Sequence, residues 1–219
     1  MINFLKAMSR SYKEKGSIDS SKIQSFFNKT QNLMFDNHAA ELEQYAVMNV
    51  IKNIRQRRIL DLGCGDGRYS DVIEEYDYYQ GVDFSDSFIK KCKARSEKNF
   101  IHAEITEYLS DQKFNIILLI GVITYLEDEE VCKLSKNIKS MMSDDAVIIL
   151  RSVTLKDKGL KKLYYDSGPW NWLFRFYKPR YQMIRRSIEY ELSLFNEFQF
   201  KEITEVEGTS YTLYTLVKE

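Results

Sequence analysis

Apolar and polar positions change rhythm twice along the chain. In the first third the spacing is helical. Ile23, Phe26, Phe27 and Met34 recur at three- and four-residue steps, and Leu42, Tyr45, Ala46 and Val50 continue in a second helix after Asp36-Asn37, a pair suited to capping. From Arg58 onward, short apolar runs alternate with helical stretches. Residues 58–62, 79–82, 99–102, 114–120 and 146–150 predict strands, and 68–75, 85–95 and 127–141 predict the helices between them, with Ser85 placed as an N-cap. The run Phe-Asn-Ile-Ile-Leu-Leu-Ile at 114–120 is almost continuously apolar, as a strand covered by helices on both faces requires. Strands alternating with helices in this way predict a parallel, doubly wound α/β sheet. Near the end, 200–206 and 211–217 flank Glu207-Gly208 and read as a closing antiparallel pair.

Composition narrows the class. A chain of 219 residues, 44% hydrophobic and 29% charged, suits a single globular domain with elaborations. Lys+Arg and Asp+Glu both number 32, so no overall basic field draws nucleic acid or an anionic membrane. Three cysteines without CxxC spacing argue against a disulfide framework or zinc ribbon, and two histidines leave little for a metal site. The longest apolar run, 116–123, is far short of a membrane span, and the first ten residues lack an export-type apolar core. The expectation is a cytoplasmic protein with no transmembrane segment and no metal; oligomeric state is left open.

The chemistry concentrates in Asp61-Leu62-Gly63-Cys64-Gly65-Asp66-Gly67, between the first sheet strand and its helix. Ligands of open α/β sheets bind beyond the carboxyl ends of the strands. Glycines there allow close backbone approach. A dinucleotide pyrophosphate would sit at this helix N-terminus, but Asp61 and Asp66 would face it with like charge, and the spacing is GxGxG rather than GxGxxG. A phosphate-free nucleoside carrying ammonium and sulfonium charges removes that conflict, and S-adenosylmethionine is one. Asp83 lies 22 residues after Asp61 at the end of the second strand, where a carboxylate can accept from both hydroxyls of a ribose.

With Gly81-Val82-Asp83-Phe84-Ser85, Ile101-His102-Ala103-Glu104-Ile105 and Ile120 through Leu126, this loop resembles the class I S-adenosylmethionine-dependent methyltransferases over roughly 58–155, and more loosely from Arg186 to Phe200. The resemblance implies a seven-stranded, mostly parallel sheet whose last strand is antiparallel. It implies that Gly63 and Gly65 contact the methionyl part, with Asp61 near the amino group, Asp83 on the ribose and Phe84 over the adenine. Glu104, where the family more often has Asp, would accept from the adenine amino group; Ile105 would flank it, and Ile120 would sit beside the reacting centre.

The acceptor side is less specified. Residues 158–186 carry eight basic side chains against one acid, and 164–181 hold eight aromatics, including Trp170 and Trp172. An insertion between the fifth and sixth strands of such a sheet suits a lid that excludes water. The chain therefore divides into a helical cap at 1–57, a cofactor core at 58–155, a lid at 156–186 and a closing unit at 187–219. Tyr125, Trp170, Trp172 and Arg186 are candidate acceptor contacts, and His38 and Tyr125 are candidate proton acceptors. Cys64 reads as a small loop residue and His102 as structural. No Asn/Asp-Pro-Pro-Tyr or Pro-Cys motif is present, which speaks against DNA methylation. The resulting expectation is methyl transfer by in-line displacement to a small-molecule acceptor, such as a glycan, a nucleotide-sugar or another biosynthetic intermediate. An RNA methyltransferase using the basic lid is the enzymatic alternative, disfavoured by the neutral overall charge, and a non-catalytic cofactor-binding module is the other.

Overall fold

The computed structural model describes residues 10–13, 18–29, 37–154, 161–166, 181–209 and 211–218. In chain order the elements are β1 (Arg10–Lys13), α1 (Ser20–Lys29), α2 (Asn37–Ile51), β2 (Arg58–Leu62), α3 (Arg68–Val72), β3 (Tyr78–Asp83), α4 (Asp86–Arg95) and β4 (Asn99–His102). They continue with β5 (Phe114–Ile120), a 3-10 turn (Ile123–Tyr125), α5 (Asp128–Met141), β6 (Met142–Ser152), β7 (Lys161–Asp166), β8 (Tyr181–Arg186), α6 (Ile188–Leu194), β9 (Phe198–Glu205) and β10 (Thr212–Lys218).

Seven strands form one sheet in the order β4-β3-β2-β5-β6-β10-β9. The first five are mutually parallel, and β10 runs antiparallel to both β6 and β9. The winding direction reverses between β2 and β5, which opens a crevice at their carboxyl ends. This is the expected doubly wound α/β sheet with its closing antiparallel pair.

Strand alternation builds two cores from one sheet. Ile117 and Leu119 of β5 join Leu60, Ile148 and Leu150 on one face, under Val131, Leu134 and Ile138 of α5. Ile116 and Leu118 join Ile59 and Ile149 on the other, under Val47 and Ile51 of α2 and Ile89 of α4. Successive side chains point to opposite sides of a strand, so an unbroken apolar run feeds both layers. Helix α5 is entered through Glu127, whose backbone N–H donates to the Glu130 carboxylate at 2.8 Å.

Three differences from the sequence reading have physical reasons. Strand β6 begins at Met142 rather than 146, because Met142 pairs with Phe114 across a register shift that leaves Asp144 and Asp145 exposed. Helix α3 stops at Val72, and Ile73 turns extended (φ −89°, ψ 97°) while remaining fully buried. The cap is not wholly helical. β1 pairs with β7, and β7 with β8, in a separate three-stranded antiparallel sheet. Thus part of the expected lid is tied to the N-terminal segment. Trp170 and Trp172 lie outside the described residues.

Candidate active site

The loop after β2 is shaped by backbone geometry. Gly63, with φ +76°, donates its N–H to Val82 O at 2.7 Å, and a Cβ there would stand 2.4 Å from Val122 Cγ2. Only glycine meets both demands without moving β5's exit. Gly65 and Gly67 also have positive φ, 55° and 82°. Cys64 packs against Gly81, where a Cβ would come within 2.9 Å of its Sγ. The Cys92 thiol beside it, together with burial, holds Cys64 well above the ordinary thiol pKa, so it is a packing residue rather than a nucleophile.

Two buried carboxylates flank the loop. Asp83 Oδ2 accepts from Gly65 N and Oδ1 from Ser85 N, both at 2.8 Å. A carboxylate has about four acceptor positions, so each oxygen keeps capacity for a further donor. Burial raises the Asp83 pKa to about 6 against these two bonds. Asp61 is 2% exposed and its Oδ2 accepts from Tyr79 Oη at 2.6 Å. Burial pushes it up to about 7; the Tyr79 bond opposes that rise and the Asp83 charge adds to it. With Gly63, Asp66, Arg68, Tyr69 and Ile120, Asp61 lines a pocket at the crevice. The donor set fits S-adenosylmethionine on its own chemistry: paired acids attract an amino group and a diol and repel a pyrophosphate.

The remaining sequence candidates separate. Phe84 and Tyr125 are half-buried and are bridged by Phe27 of α1, whose ring lies edge-on to both, 6.0 Å and 5.3 Å between centroids. Ile18, Ile23 and Ile184 complete this cluster, so α1 lies against the Phe84–Tyr125 end of the crevice. Glu104 is exposed, and its Oε1 accepts from Gln24 Nε2 of α1 at 2.5 Å. Ile105 is buried in the main core, its side chain spent on packing. His38 is exposed in the first turn of α2. His102 Nε2 bonds Phe84 O at 2.8 Å, which fits a structural part.

Arg186 corrects an expectation. It is fully buried, and its guanidinium donates to Asp128 Oδ1 at 2.9 and 2.7 Å, to Ile123 O at 3.0 Å and to Leu126 O at 2.7 Å. Those bonds fasten β8 to the turn before α5 and leave no face for an acceptor.

Sequence reasoning missed an ion network beside the loop. Glu43 of α2, 0% exposed, meets Arg68 Nη2 at 2.5 Å, Tyr69 Oη at 2.8 Å and Arg151 Nε at 2.5 Å. A signal existed: Glu43, Val47 and Ile51 share one helical face, and the other two are apolar. Among the described residues no group of three or more His, Cys, Asp or Glu side chains could hold a metal ion, and no helix is long and apolar enough to cross a membrane.

A doubly wound sheet of this order, with a glycine loop and an acid on each of its first two central strands, is the class I methyltransferase fold. Residues 26–204 match the family model for a methyltransferase domain, and the chain belongs to that family. The chain is 28% identical over 144 residues to phosphoethanolamine N-methyltransferase 1 of Triticum aestivum, covering 60% of this chain and 29% of that protein. It thus spans less than a third of that relative's length. Among solved structures, the Burkholderia thailandensis 1,6-didemethyltoxoflavin-N1-methyltransferase with bound S-adenosylhomocysteine superposes with a TM-score of 0.71 at 13% identity, covering 95% of each chain. A SAM-dependent methyltransferase from Leishmania major gives 0.70 at 17%, covering 90% of this chain and 82% of that one. The cofactor class of this family and fold is S-adenosylmethionine.

Proposed function

We propose that this protein transfers the methyl group of S-adenosylmethionine to a small-molecule acceptor by in-line displacement. The observation that carries the reading is the pair of buried carboxylates, Asp61 and Asp83, set around a loop with three positive-φ glycines. When bound, the cofactor supplies an electrophilic methyl on a sulfonium whose leaving group departs as a neutral thioether. Asp61 would take the amino group, Asp83 the ribose hydroxyls, and Gly63 and Gly65 would leave room for the methionyl part. Phe84 would cover the adenine, with Glu104 and the Ile105 backbone at its edge, and Ile120 would border the reacting end.

Because the leaving group is already good, orientation of the acceptor supplies most of what the protein adds. Tyr125, whose ring packs edge-on against Phe27 of α1, would meet an acceptor at the crevice. An amine acceptor need only arrive unprotonated. Two of the proteins this chain is similar to are named for N-methylation of small molecules, phosphoethanolamine and 1,6-didemethyltoxoflavin, which supports a small-molecule acceptor. Calorimetric titration with S-adenosylhomocysteine tests cofactor binding, and mass spectrometry of pooled metabolites incubated with the protein and S-adenosylmethionine tests transfer through products heavier by a methyl group. Folded protein giving no heat with either cofactor form would refute the proposal.

A further inference from the structure

Both faces of a sheet need cover, and helices supply it unevenly at β10. Tyr214 and Leu216 of β10 and Phe198 of β9 join the core that α5 and α6 close. The alternate residues Thr215 and Val217 face the other way, into an open groove of about 780 Å³. Its apolar surface comes from Leu42, Ala46 and Val50 of α2, Ile54 just past that helix, and Val147 and Val217 of the sheet. The far wall is β9 with the turn that follows it, and the lining contains no residue of a second described helix. Leu42 to Val50 run about 12 Å at 1.5 Å per residue, and Lys201 to Glu205 about 13 Å at 3.3 Å per residue, so the groove is a trough with two long walls.

Charge identifies the occupant. Among the lining residues, Asp145, Glu202, Glu205 and Glu207 stand against one base, Lys201, and all five are exposed. Glu202 pairs with Thr215 across the strands, which puts it on the groove side of the sheet. The α2 wall carries the uncharged Asn49 and Asn53, and Tyr45 at its rim is 70% exposed. An open aromatic ring beside an apolar floor marks a binding surface. We propose that this groove binds a basic amphipathic helix of a partner protein, its apolar stripe on the floor between α2 and β10 and its Lys and Arg side chains along the acids of β9. A three-turn helix about 11 Å across displaces about 1,500 Å³, and the groove takes about half of that, the half an amphipathic helix buries. Seated there, it covers the open face of β10 and packs beside α2 at an ordinary interhelical distance of about 8–10 Å. The groove shares no lining residue with the crevice at Asp61, so the inference does not depend on the cofactor reading.

Fluorescence anisotropy tests this with a labelled peptide of about 14 leucine and lysine residues patterned as an amphipathic helix, beside a twin carrying glutamate for lysine. The lysine peptide is expected to bind about 10-fold or more tightly than its twin, and to weaken as salt screens the acids. Glu202→Lys combined with Glu207→Lys should weaken it about 10-fold or more, and Tyr45→Ser about 5-fold or more. All three positions are exposed, so both variants should keep the wild-type melting temperature. In hydrogen exchange the lysine peptide should add protection at 42–54 and 198–207. Equal binding of the two peptides, binding of neither, an unchanged affinity in the charge-reversed variant, or protection elsewhere overturns the proposal. Sedimentation of the protein alone supplies one more arm: a dimer that Tyr45→Ser dissociates assigns the groove to a second copy of the chain and overturns it too.

Discussion

Cofactor binding should release a proton, and the two carboxylates at the crevice set how much. Asp61 has its pKa raised to about 7 and Asp83 to about 6, both chiefly because burial disfavours the charge. At pH 6.5 the ligand-free protein then holds a proton on Asp61 in about three quarters of molecules and on Asp83 in about one quarter. An amino group against Asp61 and a diol against Asp83 both favour the ionised forms. Binding should thus expel about one proton at pH 6.5, and affinity should be about 20-fold weaker at pH 6 than at pH 8, where both acids are already ionised. Calorimetry with S-adenosylhomocysteine at pH 6.5, in two buffers of different ionisation enthalpy, measures the proton count directly. Asp61→Asn should leave only the smaller share belonging to Asp83. Equal heats in the two buffers, together with an affinity flat from pH 6 to 8, would refute the assignment of these carboxylates to the ligand.

The same shifts bear on stability with the opposite sense. A carboxyl whose folded pKa is raised binds more protons folded than unfolded between about pH 4 and its folded pKa, so stability falls as pH rises through that window. Asp61, Asp83 and Glu191, the last also raised to about 7 by burial, all act this way. The urea midpoint of the ligand-free protein should therefore drop between pH 5 and pH 8, by about 2 kcal/mol or more in stability; a rise would contradict it. Asp83→Ala should cost about 1–3 kcal/mol of S-adenosylhomocysteine affinity, the scale of hydrogen bonds to a charged acceptor, measured by titration. Gly63→Ala should destabilise by about 2–4 kcal/mol in chemical denaturation, from left-handed backbone strain plus the contact with Val122. Arg186→Met should cost about 3–5 kcal/mol by removing the buried member of the ion pair with Asp128 and its donors to Ile123 O and Leu126 O, and its effect should appear in the melting temperature rather than in the acceptor KM.

What the sequence determined by itself was everything with a local cause. Periodicity marked the strand at 114–120 with the bounds found in the structure, because a strand buried on both faces shows as a nearly unbroken apolar run, and the short strand at 99–102 has its expected bounds as well. The glycine loop and Asp83 were legible because a tight turn and a strand-end acid are consecutive-residue features. The like charge of Asp61 and Asp66 in that loop points to a phosphate-free ligand. Tertiary structure decided what depends on residues far apart in the chain. Arg186 looked like one more basic residue of a lid, yet Asp128, 58 positions earlier, claims it. β1 has only four residues and becomes a strand because β7, about 150 positions on, completes its hydrogen bonds. Glu43, Arg68 and Arg151 come from a cap helix, the start of α3 and the end of a strand, and they become one network only where the sheet's carboxyl edge gathers them. The physical reason is common to all three. A charge or a backbone edge needs a partner when water is excluded, and only the fold determines which partner is within reach.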